Sequence, residues 1–155
     1  ELENTLADAY GRPVLLFNSG YHANTGCVSA LADARTLIVA DKLVHASIID
    51  GIRLSGARFV RFRHNDVRGL ERILGKEGAG FDKVLIVTES VFSMDGDLAD
   101  LRKLVELKEK YDAVLVVDEA HSVGVRGPQG TGLAAELGVG RCFRGCKPDG
   151  SGLSA

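Results

Sequence analysis

The sequence predicts an α/β protein: a mainly parallel sheet with helices on both faces. Predicted strands and helices alternate along most of the chain, and helices of about ten or more residues between strands are typical of right-handed crossovers in a parallel sheet. The run Ala-Val-Leu-Val-Val at 113–117 has no polar position, which is typical of a strand covered on both faces. A chain of 155 residues, 45% hydrophobic and 26% charged, can bury the core of such a domain.

The first half of the chain is predicted to contain three strands and three helices. Helix formers fill residues 1–10 without a capping residue before them and stop at Gly11, which indicates the end of a helix already under way at residue 1. A polar turn at 18–24 leads into a helix that ends near residue 33, and a third helix is indicated by the apolar stripe at 48–54. The predicted strands are 14–17, 36–40 and 57–62, the last with outward arginines typical of a sheet edge.

The second half is predicted to add two strands and three helices. One helix starts at Asp66 and ends at the glycines from Gly75 onward, and an amphipathic helix starts at Asp100. The strands are 83–88 and 113–117, and a short helix is expected at 133–137. We therefore expect one domain over 1–138, part of a larger unit, followed by an aperiodic tail at 139–155 that is disordered or the product of a shifted reading frame.

Composition narrows the function classes. A formal net charge of −2 without a basic run argues against a nucleic-acid or anionic-membrane surface. No apolar run approaches the roughly 18 residues of a spanning helix, and no signal pattern opens the chain, so a cytoplasmic location is expected. The three cysteines, Cys27, Cys142 and Cys146, form no even disulfide framework, and Cys142 and Cys146 lack further closely spaced Cys or His ligands for a structural zinc site, so we expect reduced thiols and no metal site.

Polar residues follow four of the predicted strands, and in a parallel sheet these strand exits lie along one edge. They are Ser19-Gly20-Tyr21 after the first strand, His45 after the second, Glu89 and Ser93 after the fourth, and Asp118 and His121 after the fifth. Each has a plain structural interpretation as a cap, a turn or a surface residue. Together they match a ligand with a phosphate, a flat ring and a basic ring nitrogen, and pyridoxal phosphate has all three.

Four ordered motifs carry a family resemblance. They are Ser-Gly-Tyr-His-Ala-Asn at 19–24, His-Ala-Ser-Ile-Ile-Asp-Gly at 45–51, Val-Phe-Ser-Met-Asp-Gly-Asp at 91–97 and Val-Asp-Glu-Ala-His-Ser-Val-Gly at 117–124. In order and spacing the chain resembles the α-oxoamine synthases, fold-type I pyridoxal-phosphate enzymes that condense an amino acid with an acyl thioester and release carbon dioxide. The resemblance covers about 1–138, less than half of a family member, and implies a homodimer that acts on small molecules.

The resemblance also implies roles at matching positions. The backbone amides of Gly20 and Tyr21 would hold the cofactor phosphate, and His45 would stack on the pyridine ring. Asp118 would pair with the ring nitrogen and keep it protonated, which makes the ring an electron sink. His45 is also expected to assist proton transfer.

Three further residues complete the implied site. His121 and Ser93 would lie near the phenolic oxygen of the cofactor, and Glu89 would support the site from the fourth strand. The implied catalytic residues are His45, Asp118 and His121.

The chain departs from the family in its last residues. The family's Schiff-base lysine follows a further strand, whereas Lys147 has no preceding strand and stands before Pro148, so the Schiff-base lysine is absent from the expected site. These 155 residues are therefore expected to be inactive alone. A non-catalytic vestigial or interaction fragment is the alternative from another function class.

A nucleotide hydrolase is a further alternative, because Asp-Glu-Ala-His at 118–121 also spells the signature of a helicase box. That function requires a glycine-rich loop ending in Gly-Lys-Ser or Gly-Lys-Thr. The single Gly-Lys of the chain, Gly75-Lys76, is followed by Glu77, which argues against it.

Overall fold

The core of the protein is a four-stranded parallel sheet. The computed structural model describes residues 1–140. The strand order is β2-β1-β3-β4, and all three pairings are parallel, so every strand ends at the same edge of the sheet. The strands are β1 (Thr36–Asp41), β2 (Arg58–Phe62), β3 (Lys83–Glu89) and β4 (Val114–Asp118).

Six helices surround or precede the sheet in the described residues, and two short 3₁₀ turns, Gly78–Gly80 and Pro128–Gly130, accompany them. Side-chain oxygens of Asp66 and Asp100 accept the N–H groups that open two of these helices, as the sequence predicts. The helices are α1 (Leu2–Tyr10), α2 (Gly20–Leu31), α3 (Ala46–Ser55), α4 (Val67–Glu77), α5 (Leu101–Lys110) and α6 (Leu133–Glu136).

The core has two layers because successive residues of a strand point to opposite faces. On one face, Ile38 and Leu85 pack in a cluster with Val28 of α2 and Ile48 of α3. On the other face, alternate residues of β1 and β3 join a cluster with residues of α4 and α5. Helices therefore cover both faces, and the predicted α/β class with a mainly parallel sheet is confirmed.

The predicted strand at 14–17 is wrong. The described sheet contains no such strand, and Leu15, Leu16 and Phe17 are 72%, 43% and 37% exposed. The segment is held to α1 by the Leu16 N–H, which donates to Glu3 Oε1 at 2.8 Å. Four apolar residues favour a strand only where a sheet edge and a core are available to them.

One further prediction needs correction. The strand predicted to be covered on both faces is β4, which lies at an edge of the described sheet with Val114, Val116 and Val117 only half-buried. The helix predicted to end at the glycines from Gly75 onward ends at Glu77, with Gly78 as its C-cap, as the sequence predicts.

The predicted edge position of β2 is confirmed, since it pairs with β1 alone in the described sheet. The expectations for Cys142, Cys146, Lys147 and most of the predicted tail fall outside the described residues, and the division at residue 138 stays a prediction. Within residues 1–140, no helix has the length and apolar character needed to cross a membrane.

Candidate functional site

Three strand exits bring predicted site residues to one edge of the sheet. Glu89 ends β3 and Asp118 ends β4, and the two are register partners. His45 follows β1 and is the N-cap of α3. The N-terminus of α2 comes to the same region, because Asn24 of this helix contacts Asp118 directly.

Asp118 is the most firmly oriented of the predicted residues. Its Oδ1 accepts the Ala120 N–H at 2.9 Å, and its Oδ2 accepts from Asn24 Nδ2 at 2.7 Å. Both donors are neutral, and Asp118 forms no ion pair within the described residues. The half-buried carboxylate is therefore fixed in direction while its charge remains available to a cationic group.

A hydrogen-bonded chain continues from Asp118 to His45. Asn24 Nδ2 also donates to Ser47 Oγ at 3.1 Å, and Ser47 Oγ lies 2.7 Å from His45 Nδ1. The Ser47 N–H points to the same ring nitrogen at 3.2 Å. Because Nδ1 accepts this bond, the proton of the neutral imidazole is on Nε2.

Sequence reasoning assigns no role to Asn24 or Ser47. Both residues lie inside motifs that carry the family resemblance, but neither has a distinctive residue type. The contact that gives Asn24 its role joins it to Asp118, 94 positions away, and only the fold reveals such a pair.

Glu89 is the buried acid of the site, at 3% exposure. Burial, and after it the negative charge of Asp118, raise the pKa of Glu89 above its ordinary value. The backbone N–H of His45 and the side chains of His45 and His121 act in the opposite direction. Glu89, Asp118 and both histidines therefore belong to one electrostatic neighbourhood.

The N-terminus of α2 has the features of an anion site. Ser19 caps the helix, and its Oγ accepts the His22 N–H at 3.2 Å. The N–H groups of Gly20 and Tyr21 donate to no group in the described residues, and no atom lies within 4 Å of a Cβ built on Gly20. Tyr21 Oη donates to Asp50 of α3, which fixes the first turn of the helix and raises the pKa of Tyr21.

His121 and Ser93 are less closely joined to the others. Both are exposed, and neither forms a hydrogen bond with another predicted site residue in the part of the chain that the structure describes. The only interaction of His121 with another predicted site residue that the described structure shows is electrostatic, and it lowers the pKa of Glu89. Ser93 lies in a turn closed by the Gly96 N–H, which donates to Phe92 O at 2.9 Å.

The site is an open surface in the described residues. A cavity of about 650 Å³ lies elsewhere, between the end of α1 and α6, and none of the predicted cofactor residues lines it. Gly75 and Lys76 lie inside α4 rather than in a phosphate-binding loop, which counts against the nucleotide-hydrolase alternative.

The chemistry of the donor set fits pyridoxal phosphate. The open helix N-terminus at Gly20 suits a phosphate, and the oriented carboxylate of Asp118 suits a protonated ring nitrogen. The exposed imidazole of His45 offers a flat face for a ring. These are the three groups that the cofactor presents.

Comparison with known proteins places the chain in a family. The family model described as aminotransferase class I and II matches residues 1–143. The 8-amino-7-oxononanoate synthase of Chlorobaculum parvum is 56% identical over 140 residues, which are 90% of this chain and 36% of the relative. A Pasteurella multocida relative, provisionally given the same name, is 61% identical over 140 residues, 89% of this chain and 36% of the relative.

Solved structures agree with the sequence relatives. A serine palmitoyltransferase from S. paucimobilis, with a bound PLP–myriocin aldimine, superimposes with a TM-score of 0.87 at 40% identity over 92% of this chain and 37% of that one. The chain thus spans about 36% of the length of the curated relatives it matches. The expected resemblance and the expected cofactor, pyridoxal phosphate, are confirmed at the level of the family, and the chain belongs to the class I and II aminotransferase family of pyridoxal-phosphate-dependent enzymes.

Proposed function

We propose that this chain is the cofactor-binding part of an acyltransferase that condenses an amino acid with an acyl thioester and releases carbon dioxide. The observation that carries the proposal is the Asp118 carboxylate, held by two neutral donors at the end of β4 beside His45 and Glu89. The names of the relatives favour 8-amino-7-oxononanoate synthesis, in which L-alanine joins a pimeloyl thioester during biotin synthesis. Glycine C-acetyltransferase, or another α-oxoamine synthase, is the alternative within the family.

Four residues would hold the cofactor. Asp118 would pair with the ring nitrogen, and Asn24 and Ala120 keep the carboxylate pointed toward it. The N–H groups of Gly20 and Tyr21 would bind the phosphate, and His45 would cover the ring. When bound, pyridoxal phosphate withdraws electrons from the bonds at the α-carbon of an amino acid.

The remaining residues would handle protons and orientation. The Nε2–H of His45 is the free end of the imidazole, since Ser47 engages Nδ1, and it can pass a proton at the substrate α-carbon. Glu89 would orient His45 from below the surface, because the backbone N–H of His45 donates a hydrogen bond to the Glu89 carboxyl group. His121 and Ser93 would lie near the phenolic oxygen.

We also propose that this 155-residue chain does not attach the cofactor covalently at this site. No lysine follows β4 within residues 119–140, and a covalent anchor requires one near Asp118. Reduction with borohydride in the presence of pyridoxal phosphate, followed by peptide mapping, tests this. A stoichiometric adduct on one lysine would contradict it.

The proposal includes a cytoplasmic homodimer as the working form. The exposed apolar residues Leu15, Leu16 and Phe17 form a surface that a second subunit would cover. Sedimentation of the chain with Leu15→Ser and Leu16→Ser together, compared with the unchanged chain, measures this. Loss of a dimer supports the proposal, and a monomer in both samples contradicts it.

Cofactor binding is the decisive experiment. The probe is 4-deoxypyridoxine 5′-phosphate, which keeps the ring and phosphate but lacks the aldehyde and so cannot react with surface lysines. Saturable binding that competes with pyridoxal phosphate supports the site, and absence of binding by the folded chain contradicts it.

A substrate comparison separates the two members of the family. The longest product of the gene is assayed with alanine and pimeloyl thioester and, in parallel, with glycine and acetyl thioester. If no reading frame of the gene encodes a further strand followed by a lysine beyond residue 138, a non-catalytic role for this fragment is better supported.

A further inference from the structure

A second histidine–carboxylate cluster lies beside the candidate site. His64 follows β2, Asp41 ends β1, and Asp97 lies in the loop after β3. His64 Nδ1 is 2.9 Å from Asp41 Oδ1, and Nε2 is 2.7 Å from Asp97 Oδ2. No role in the proposed cofactor site uses these three residues.

The geometry of the cluster requires a charged histidine. An ionised carboxylate only accepts hydrogen bonds, so a ring held between two of them must donate from both nitrogens and is an imidazolium. Burial, the largest influence, lowers the pKa of His64, but the hydrogen bonds and charges of Asp41 and Asp97 together raise it above its ordinary value. Asp41 and Asp97 are the charged groups that face this ring, and its other contacts, Phe92 and Asn65, are uncharged.

The cluster fastens the loop at residues 91–98 at several points. Asn65 Nδ2 donates to Asp97 Oδ2 at 2.7 Å and to Leu98 O at 3.2 Å. The ring of Phe92 meets the His64 ring edge-on, with centroids 4.4 Å apart. Both ends of the loop that carries Ser93 are therefore attached to the pair His64-Asn65.

The attachment is maintained at a local cost. Asp97 Oδ1 is buried without a hydrogen-bond partner among the described residues, which is unfavourable for a carboxylate oxygen. Asn65 has φ +54°, a left-handed conformation that asparagine tolerates better than most residues. Charge-assisted bonds to the other oxygen of Asp97 offset these costs.

We propose that His64 is a positioning residue that, as an imidazolium between Asp41 and Asp97, holds the loop 91–98 and with it Ser93 at the strand exits. The part of this that concerns Ser93 and the cofactor rests on the proposed function. The part that concerns the loop does not depend on any ligand.

The contact of His64 with both Asp41 and Asp97, called the bridge from here on, predicts that amide exchange of the loop at residues 91–98 depends on pH. A histidine whose pKa is raised by folding stabilises the folded form fully below its unfolded pKa, about 6.5, and the contribution disappears as pH rises through the higher folded value. Amide exchange of residues 91–98, corrected for the intrinsic effect of pH, should therefore accelerate as the His64 ring loses its proton. The ring titration is followed in the same samples by NMR.

Two variants and a matched control test the bridge. His64→Gln and Asp97→Asn each remove it, and Asp95→Asn removes an exposed carboxylate of the same loop as the control. We expect exchange at 91–98 to be about tenfold to a hundredfold faster in the first two variants, the range for losing a charge-assisted hydrogen bond, and unchanged in Asp95→Asn. Exchange in β1 and β3 reports whether the fold is intact.

The outcomes separate the inference from the proposed function. Unchanged exchange at residues 91–98 in folded His64→Gln and Asp97→Asn would overturn the inference. So would wild-type loop exchange that does not change as His64 titrates. The wild-type measurement decides the question if neither variant folds. A faster loop with weaker binding of 4-deoxypyridoxine 5′-phosphate supports both parts. If the loop exchanges faster in the variants and the unchanged chain also fails to bind 4-deoxypyridoxine 5′-phosphate, the role of His64 in the loop is supported and only the proposed function is overturned.

Discussion

Asp41 and Asp118 each end a strand of the same sheet, and their environments differ. Each is the last residue of its strand, and the two strands flank β3. Asp41 is 1% exposed and accepts from the Leu43 N–H, the Asn65 N–H and the His64 ring, each at 2.9 Å. Asp118 is half-buried and accepts from two neutral donors.

The difference shows how one residue type at the strand exits serves two purposes. A buried carboxylate with three donors, one of them a cation, has little capacity for a ligand, and its removal leaves those groups unpaired. A carboxylate oriented by neutral donors keeps both its charge and its access to solvent. Asp41 is therefore a structural acid, and Asp118 is suited to a cationic ligand group.

The largest expected effect is on stability, at Asp41. Asp41→Ala removes the acceptor for three donors and leaves the His64 imidazolium with one partner, so the free energy of unfolding should fall by about 3 kcal/mol. Urea unfolding followed by circular dichroism measures the loss. Asp95→Asn is the control and should change little, and a loss of under about 1 kcal/mol in Asp41→Ala would remove the contrast.

The second effect is on binding, at Asp118. Asp118→Asn keeps the shape and one acceptor but removes the charge, so binding of 4-deoxypyridoxine 5′-phosphate should weaken by roughly tenfold to a hundredfold. Stability should change by less than about 1 kcal/mol, because no cation is left unpaired. Fluorescence titration and urea unfolding give the two numbers. A variant that loses stability but binds normally would reverse the roles given to Asp41 and Asp118.

A smaller effect is expected at Asn24, which orients Asp118. Asn24→Ala removes the bonds to Asp118 Oδ2 and Ser47 Oγ and should lower stability by about 1 kcal/mol. Asn24→Asp should cost more, because it places a second carboxylate against Asp118. Urea unfolding at neutral pH compares the two variants. If Asn24→Asp is as stable as Asn24→Ala, the hydrogen bond to Asp118 does not orient that carboxylate.

The sequence predicts Asp118 and His45 but not the environment that separates Asp118 from Asp41. Strand periodicity and caps locate β1, β3 and β4, and parallel pairing then brings their ends together. The partners of the two acids, Asn24 and His64, come from distant parts of the chain, and residue types alone do not pair them. The predicted strand at 14–17 is wrong for the same reason, since four apolar residues do not reveal whether a partner strand is available.

The smallest stability effect is expected at the α2 N-terminus. In Gly20→Pro, proline takes the first helical position, where it is well tolerated, and Ser19 at φ −160° and ψ 159° has the extended backbone that precedes proline. Stability should therefore change by no more than about 0.5 kcal/mol.

Gly20→Pro deletes the N–H proposed to bind the phosphate, whereas Gly20→Ala keeps it and meets no atom within 4 Å of its Cβ. We expect Gly20→Pro alone to weaken binding of 4-deoxypyridoxine 5′-phosphate, by about tenfold for one hydrogen bond to a charged group. Equal binding by the two variants would show that this amide is not part of the phosphate site.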